Sequence, residues 1–176
     1  MLLRKINAWV SLFTTVLLLD HAIFHAVWML SGGSIPKNAN IMPRILFGLM
    51  MVHAIISIVL AILGHKGAEK CKTKSYPKMN KATIIQRAGG VLLIPFTILH
   101  IAETAGGMHP PKIVHAIFPP LFFTIALMHV AVSGSKAFIT LGIGNAKLIK
   151  LIDMVIKVVC GVTLVADIIG FYLYLV

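Results

Sequence analysis

Residues 85–100 read IQRAGGVLLIPFTILH. An arginine and three small residues open the stretch, a lipid-compatible run follows, and a histidine closes it. Extended to roughly 83–106, the apolar segment is long enough for a hydrocarbon core of about 30 Å, which takes about 20 helical residues. A membrane-spanning segment must satisfy its own backbone hydrogen bonds, so helix is the expected state. Four more such segments flank it, at approximately 6–31, 41–65, 112–138 and 149–176. The chain has 176 residues, 59% of them hydrophobic, and a mean hydropathy of +0.96. A soluble domain of this size could not hide so much apolar surface. The expectation is an all-α integral membrane bundle of five transmembrane helices, forming one domain over 1–176.

The N-terminal stretch MLLRKINAWVSLFTTVLLLDHAIFH has an apolar part too long for a signal peptide. Asp20 and His21 also interrupt it where a cleavage region should begin, so it is expected to remain as the first span.

The formal charge of +11 invites a nucleic-acid reading, but its distribution points to a membrane. Arg4 and Lys5 precede the first span, and HKGAEKCKTKSYPKMNK with Arg87 joins the second to the third. Lys136, Lys147 and Lys150 lie between the fourth and fifth. With five spans, these groups fall on one side and carry twelve of the sixteen basic residues. The other side has Lys37, Arg44 and Lys112. That asymmetry predicts a cytoplasmic N-terminus and an outside C-terminus. The basic loop also suits anionic lipid or the acidic face of a partner. Cys71 and Cys160 cannot form a disulfide framework, and the absence of C-x-x-C-H excludes covalent c-type haem. Without a P-loop or dinucleotide fingerprint, catalysis on a soluble substrate would need another subunit.

Eight histidines are many for this chain. His65, His109 and His115 lie at or near helix ends, where water reaches them. His21 and His25 on the first span, His53 on the second, His100 on the third and His129 on the fourth lie at membrane depth. Ionisable groups there tend to face a cavity, a partner or a cofactor. Any single one is more often a packing residue than a ligand; one on each of four successive helices shifts the balance.

Depth sorts them. At about 1.5 Å per residue, His21 lies roughly 25 Å beyond Arg4, and His100 is similarly far along its own helix. His129 is only about 10 Å from Lys136, and His53 sits near mid-span. The expected pairs are His21 with His100 toward the outside and His53 with His129 toward the inside. Two imidazoles on facing helices can hold one iron of a flat macrocycle from both faces, leaving no open coordination position. Carbonyls freed near Pro95 or Pro119–Pro120 are candidates for each ligand's second nitrogen. AGG at 88–90 and SGS at 133–135 would admit a macrocycle or a neighbouring backbone. Arg87 and Lys136 are placed for an inner haem's propionates, Arg44 and Lys112 for an outer one's; all four also suit interfacial anchoring.

The chain resembles the dihaem cytochrome b subunit of succinate dehydrogenases and fumarate reductases, in its single-chain five-helix form. Arg4 and His21 keep the family's spacing of seventeen residues between an arginine and a ligand histidine. QRAGGVLLIPFTILH matches its helix 3 pattern from Gln86 to His100. His53–Ala54 and the stretch HVAVSGSKAFITLGI from His129 match its helices 2 and 4. The resemblance implies His21, His53, His100 and His129 as axial ligands of two b haems. It also implies a quinone, menaquinone or ubiquinone, and iron–sulfur and flavoprotein subunits on the cytoplasmic face of a prokaryotic cytoplasmic membrane. Asn7 departs from the family, standing where a histidine is common. His25 is a rival to His21, one turn further on; the spacing from Arg4 favours His21.

Quinone reduction takes up two protons with two electrons, so its site needs acid–base groups. Glu103, three residues beyond His100, shares that histidine's face and is the candidate for proton exchange, with His25 and Trp28 as neighbours. Asp167 on the fifth span is either a proton-path residue or a hydrogen-bonding partner of another helix. Asp153 and Lys157 are expected to pair at i,i+4. The alternatives are anchorage of a different flavoprotein, a non-haem metal enzyme with histidines clustered at one depth, and a haem-free anchor.

Overall fold

The computed structural model describes residues 2–31, 41–70, 81–104 and 112–175. They form five helices: α1 (Leu2–Ser31), α2 (Ile41–Lys70), α3 (Lys81–Thr104), α4 (Lys112–Leu141) and α5 (Ala146–Leu175). All five are long and apolar enough to cross a membrane, and the described residues contain no strand. Cys71, Lys37 and His109 lie outside the described residues, as do the side chains of His65, Lys112 and His115.

Several helix limits differ from the sequence expectation: α1 begins at Leu2 and not 6, α2 runs to Lys70 and not 65, and the α4–α5 connection is shorter at both ends. There α4 runs on to Leu141 and α5 begins at Ala146, where the sequence suggested 138 and 149. The cause is local capping. Gly142 adopts φ 73°, its N–H bonds the Ile139 carbonyl, and the Ile143 N–H reaches back to the Phe138 carbonyl. That pair of bonds is the Schellman arrangement, which satisfies carbonyls left over at a helix end. Asn145 then accepts from the Leu148 N–H at 2.9 Å, capping α5.

Cross-helix contacts fix the directions. Ser135 Oγ donates to Asp153 Oδ1 at 2.8 Å, which makes α4 and α5 an antiparallel hairpin. Lys136 Nζ donates to the Gln86 side chain while His100 stacks on Phe122, so α3 and α4 are antiparallel too. His25 meets Asp167, and Met29 and Leu30 meet Gly170, which makes α1 and α5 parallel. Asn7 Nδ2 donates to Ser57 Oγ at 3.2 Å across α1 and α2. Arg4, Lys5, Arg87, Lys136, Lys147 and Lys150 consequently gather at one end of the bundle, and Arg44 lies at the other.

α4 is central, packed against α1, α3 and α5, while α1 also carries α2. The core runs from Leu18 and Ala22 through Leu93 and Phe122 to Leu127, Val130 and Cys160. Leu127 is 1% exposed. Large apolar side chains such as Ile55, Ile98, Val158 and Val162 cover the outside. A bilayer is the solvent that suits them, since lipid accepts apolar surface without cost.

Candidate cofactor site: two histidine pairs

α1 and α3 bring His21 and His100 together, with ring centres 6.5 Å apart and planes at 73°. A metal–imidazole bond is about 2.0 Å and a ring nitrogen stands about 1.2 Å from its ring centre, so two imidazoles on opposite sides of one ion have centres about 6.4 Å apart. The observed spacing of the ring centres matches that value. His100 also stacks on Phe122 at 5.0 Å and 24°, and Phe118 and Phe96 continue the near-parallel rings at 6.2 Å and 5.3 Å. This aromatic wall on α3 and α4 escaped the sequence reading. Its signal was there, in Phe118 and Phe122 one turn apart on α4 and Phe96 one turn before His100 on α3.

His53 and His129 both lie in the half of the bundle toward the Arg4 end. Ser57, one turn along α2 from His53, is held by Asn7 in the first turns of α1, which fixes the depth that sequence alone left uncertain. His53 Nδ1 is buried and has no partner among the described residues. His129 is better defined. Its Nδ1 lies 3.0 Å from the Gln86 carbonyl oxygen. A carbonyl only accepts, so Nδ1 carries the proton and Nε2 keeps its lone pair for a metal. The partner is thus a carbonyl in the QRAGG stretch rather than one freed by Pro119–Pro120, as expected from sequence. Proline frees a carbonyl one turn before itself, whereas His129 faces the start of α3.

Gly89 and Gly90 face this ring. A Cβ on Gly90 would stand 3.1 Å from His129 Cε1, and one on Gly89 would stand 3.5 Å from its Nδ1. Those glycines let α3 approach the imidazole. SGS serves another purpose. Gly134 faces Ile156, Ser135 bonds Asp153, and Ser133 donates to the His129 carbonyl, so this step packs α4 on α5.

Among the flanking charges, Lys136 is bound to the Gln86 side chain, whose backbone holds His129. Arg87 and Arg44 are exposed at opposite ends, and Glu103 is half-buried in the last turn of α3. Lys157 pairs with Asp153 as expected. Asp167, whose role the sequence left open, bonds His25: Oδ1 lies 3.0 Å from Nδ1, and the carboxyl is 2% exposed. Sequence could not supply that partner, because it depends on which face of α5 meets α1. No three His, Cys, Asp or Glu side chains converge on an ion site among the described residues. The histidines lie at two depths: His21 and His100 stand together toward one end, and His129 lies roughly 15–20 Å away, by the ten to fourteen residues from His100 back to Gly90 and Gln86.

Comparison with protein-family models, with curated proteins and with solved structures finds no match to this chain.

Proposed function

We propose that the chain is a membrane-anchor cytochrome b. It carries electrons through two bis-histidine b haems between a soluble flavoprotein and iron–sulfur reductase, of the succinate dehydrogenase or fumarate reductase type, and a membrane quinone. The observation that carries this reading is the 6.5 Å spacing of the His21 and His100 rings, contributed by separate helices at membrane depth. His21 and His100 hold one haem. His53 and His129 hold the other, with Gln86 fixing the His129 ring and Gly89 and Gly90 clearing its approach. A b haem held by two histidines would supply one-electron transfer and offer no site for oxygen.

The basic residues at the Arg4 end support a cytoplasmic position for that end, where the soluble subunits would dock. Arg87 and Lys136 serve the propionates of the inner haem, and Arg44 those of the outer. Glu103, in the last turn of α3 beyond His100, exchanges protons with quinone at the opposite end. The protein then resides in a prokaryotic cytoplasmic membrane.

A reduced-minus-oxidised absorbance spectrum of the purified chain tests the reading. Two b-type signals at two haems per chain are expected. His100→Ala and His129→Ala should each delete a different one. A correctly assembled, colourless protein overturns the proposal, and non-haem iron in its place would favour a metal enzyme.

A further inference from the structure

The carboxyl of Asp167 is the most deeply buried charge-bearing group among the described residues, at 2% exposed. Its Oδ1 meets His25 Nδ1 at 3.0 Å, and its Oδ2 is buried without a hydrogen-bond partner among the described residues. His25 lies one turn beyond His21 and is 21% exposed, so its ring reaches past the core. Phe123 lies against that ring at 4.8 Å and 31°, and Trp28 stands 6.1 Å away. Tying α1 to α5 does not need an ionisable pair. Gly170 already lets α1 approach, and a neutral amide or hydroxyl would bridge the helices at less desolvation cost. A buried carboxyl committed to an imidazole is suited instead to holding a ring that gains and loses a proton.

We propose that His25 and Asp167 form an acid–base pair that exchanges one proton with quinone at the end of the bundle opposite Arg4. This rests on the electron-transfer reading above. Reduction of a quinone takes two electrons, which bound haems would supply, and two protons, so that its two carbonyls become two hydroxyls. One proton leaves His25 Nε2 for a quinone oxygen; an N–H bond breaks and an O–H bond forms. The second comes from water at that end, by way of Glu103. The Asp167 carboxylate stabilises the charged ring before transfer, and the ring recovers its proton from water afterwards. His25 is the catalytic residue and Asp167 the positioning residue, as a carboxylate orients an imidazole in other proton-transfer sites. Among the described residues, the other ionisable groups toward this end are Asp20 and His21 on α1, Arg44 on α2, His100 and Glu103 on α3, and Tyr172 on α5.

The haem-loaded chain is reduced with dithionite and its reoxidation followed in two ways. Decylubiquinone or menadione accepts electrons with protons, and ferricyanide accepts electrons alone. Asp167→Asn and His25→Gln should keep both b signals and slow reoxidation by the quinone about a hundredfold. Reoxidation by ferricyanide should be unchanged, and Asp167→Glu should restore most of the quinone rate. Unchanged quinone rates in both variants overturn the proposal, as does equal slowing with ferricyanide. Should the variants lose their haems, infrared difference spectra of the wild-type chain, carrying carboxyl-labelled aspartate, decide the matter. A transient label-sensitive carboxylate band is expected during quinone reduction, as Asp167's partner ring loses and regains its charge, and its absence overturns the pair's role. A wild-type chain without haem overturns the electron-transfer reading instead.

Discussion

His129 has more local order arranged around it than any other candidate ligand. Its Nδ1 proton is committed to the Gln86 carbonyl, and the Gln86 side chain holds Lys136, so one residue of α3 fixes both the ring and its neighbouring cation. Two glycines then clear the space beside the ring. Gly90→Val is expected to push His129 off this position, because even a Cβ meets Cε1 at 3.1 Å and a branched side chain adds two further carbons. Overpacking of this kind costs about 1–3 kcal/mol. The readout is the absorbance spectrum: the His53/His129 signal should be lost or shifted while the His21/His100 signal stays. Gly134→Ala is the contrasting case. Its Cβ meets the far end of Ile156, a flexible side chain that can move, so both signals should survive. The sequence displayed AGG and SGS as equals. Only the register of α3 on α4 and of α4 on α5 separates a histidine's neighbour from a packing step.

Helices as elements follow from hydrophobic length, which is why all five were legible before their packing was known. Their ends are set by different physics, namely which carbonyls and N–H groups find partners. The stretch LGIGNAK looks like a long loop by its glycines, yet the helical ends extend into it because Gly142 and Asn145 cap them. Gly142 has open space where a Cβ would go, so Gly142→Ala isolates the backbone cost of its φ of 73°, about 1–2 kcal/mol. Asn145→Ala removes the bond to the Leu148 N–H and should cost about 1 kcal/mol. Reversible unfolding in mixed detergent micelles measures both. Neither substitution should alter the haem spectrum, since the turn lies beyond both histidine pairs. Depth was legible for the same reason that length was: helical rise is constant, so residue counts placed His21 and His100 together. Azimuth was not. Asp167 could have faced lipid or any neighbour, and only the parallel packing of α5 on α1 delivers it to His25.

Taken whole, the bundle has a packed half and an open half. α1, α4 and α5 bury one another, whereas α2 leans mainly on α1 and α3 mainly on α4. In the proposed reading each haem would join a core helix to one of these peripheral ones: His21 on α1 with His100 on α3, and His129 on α4 with His53 on α2. A cofactor clasped by both pairs would therefore brace the two helices that protein–protein packing holds least. A ligand that binds only the folded state stabilises it by about 4 kcal/mol per site when present a thousandfold above its dissociation constant. The chain prepared in haem-deficient cells should accordingly unfold at a lower temperature than the haem-loaded chain. The loss should be uneven. Amide exchange followed by mass spectrometry should show α2 and α3 gaining protection on haem loading, with α5 almost unchanged because its contacts to α1 and α4 are already complete. Uniform protection across all five helices, or none in α2 and α3, would mean that the peripheral helices are held by α1 and α4 alone and that the histidine pairs do not clasp a shared group.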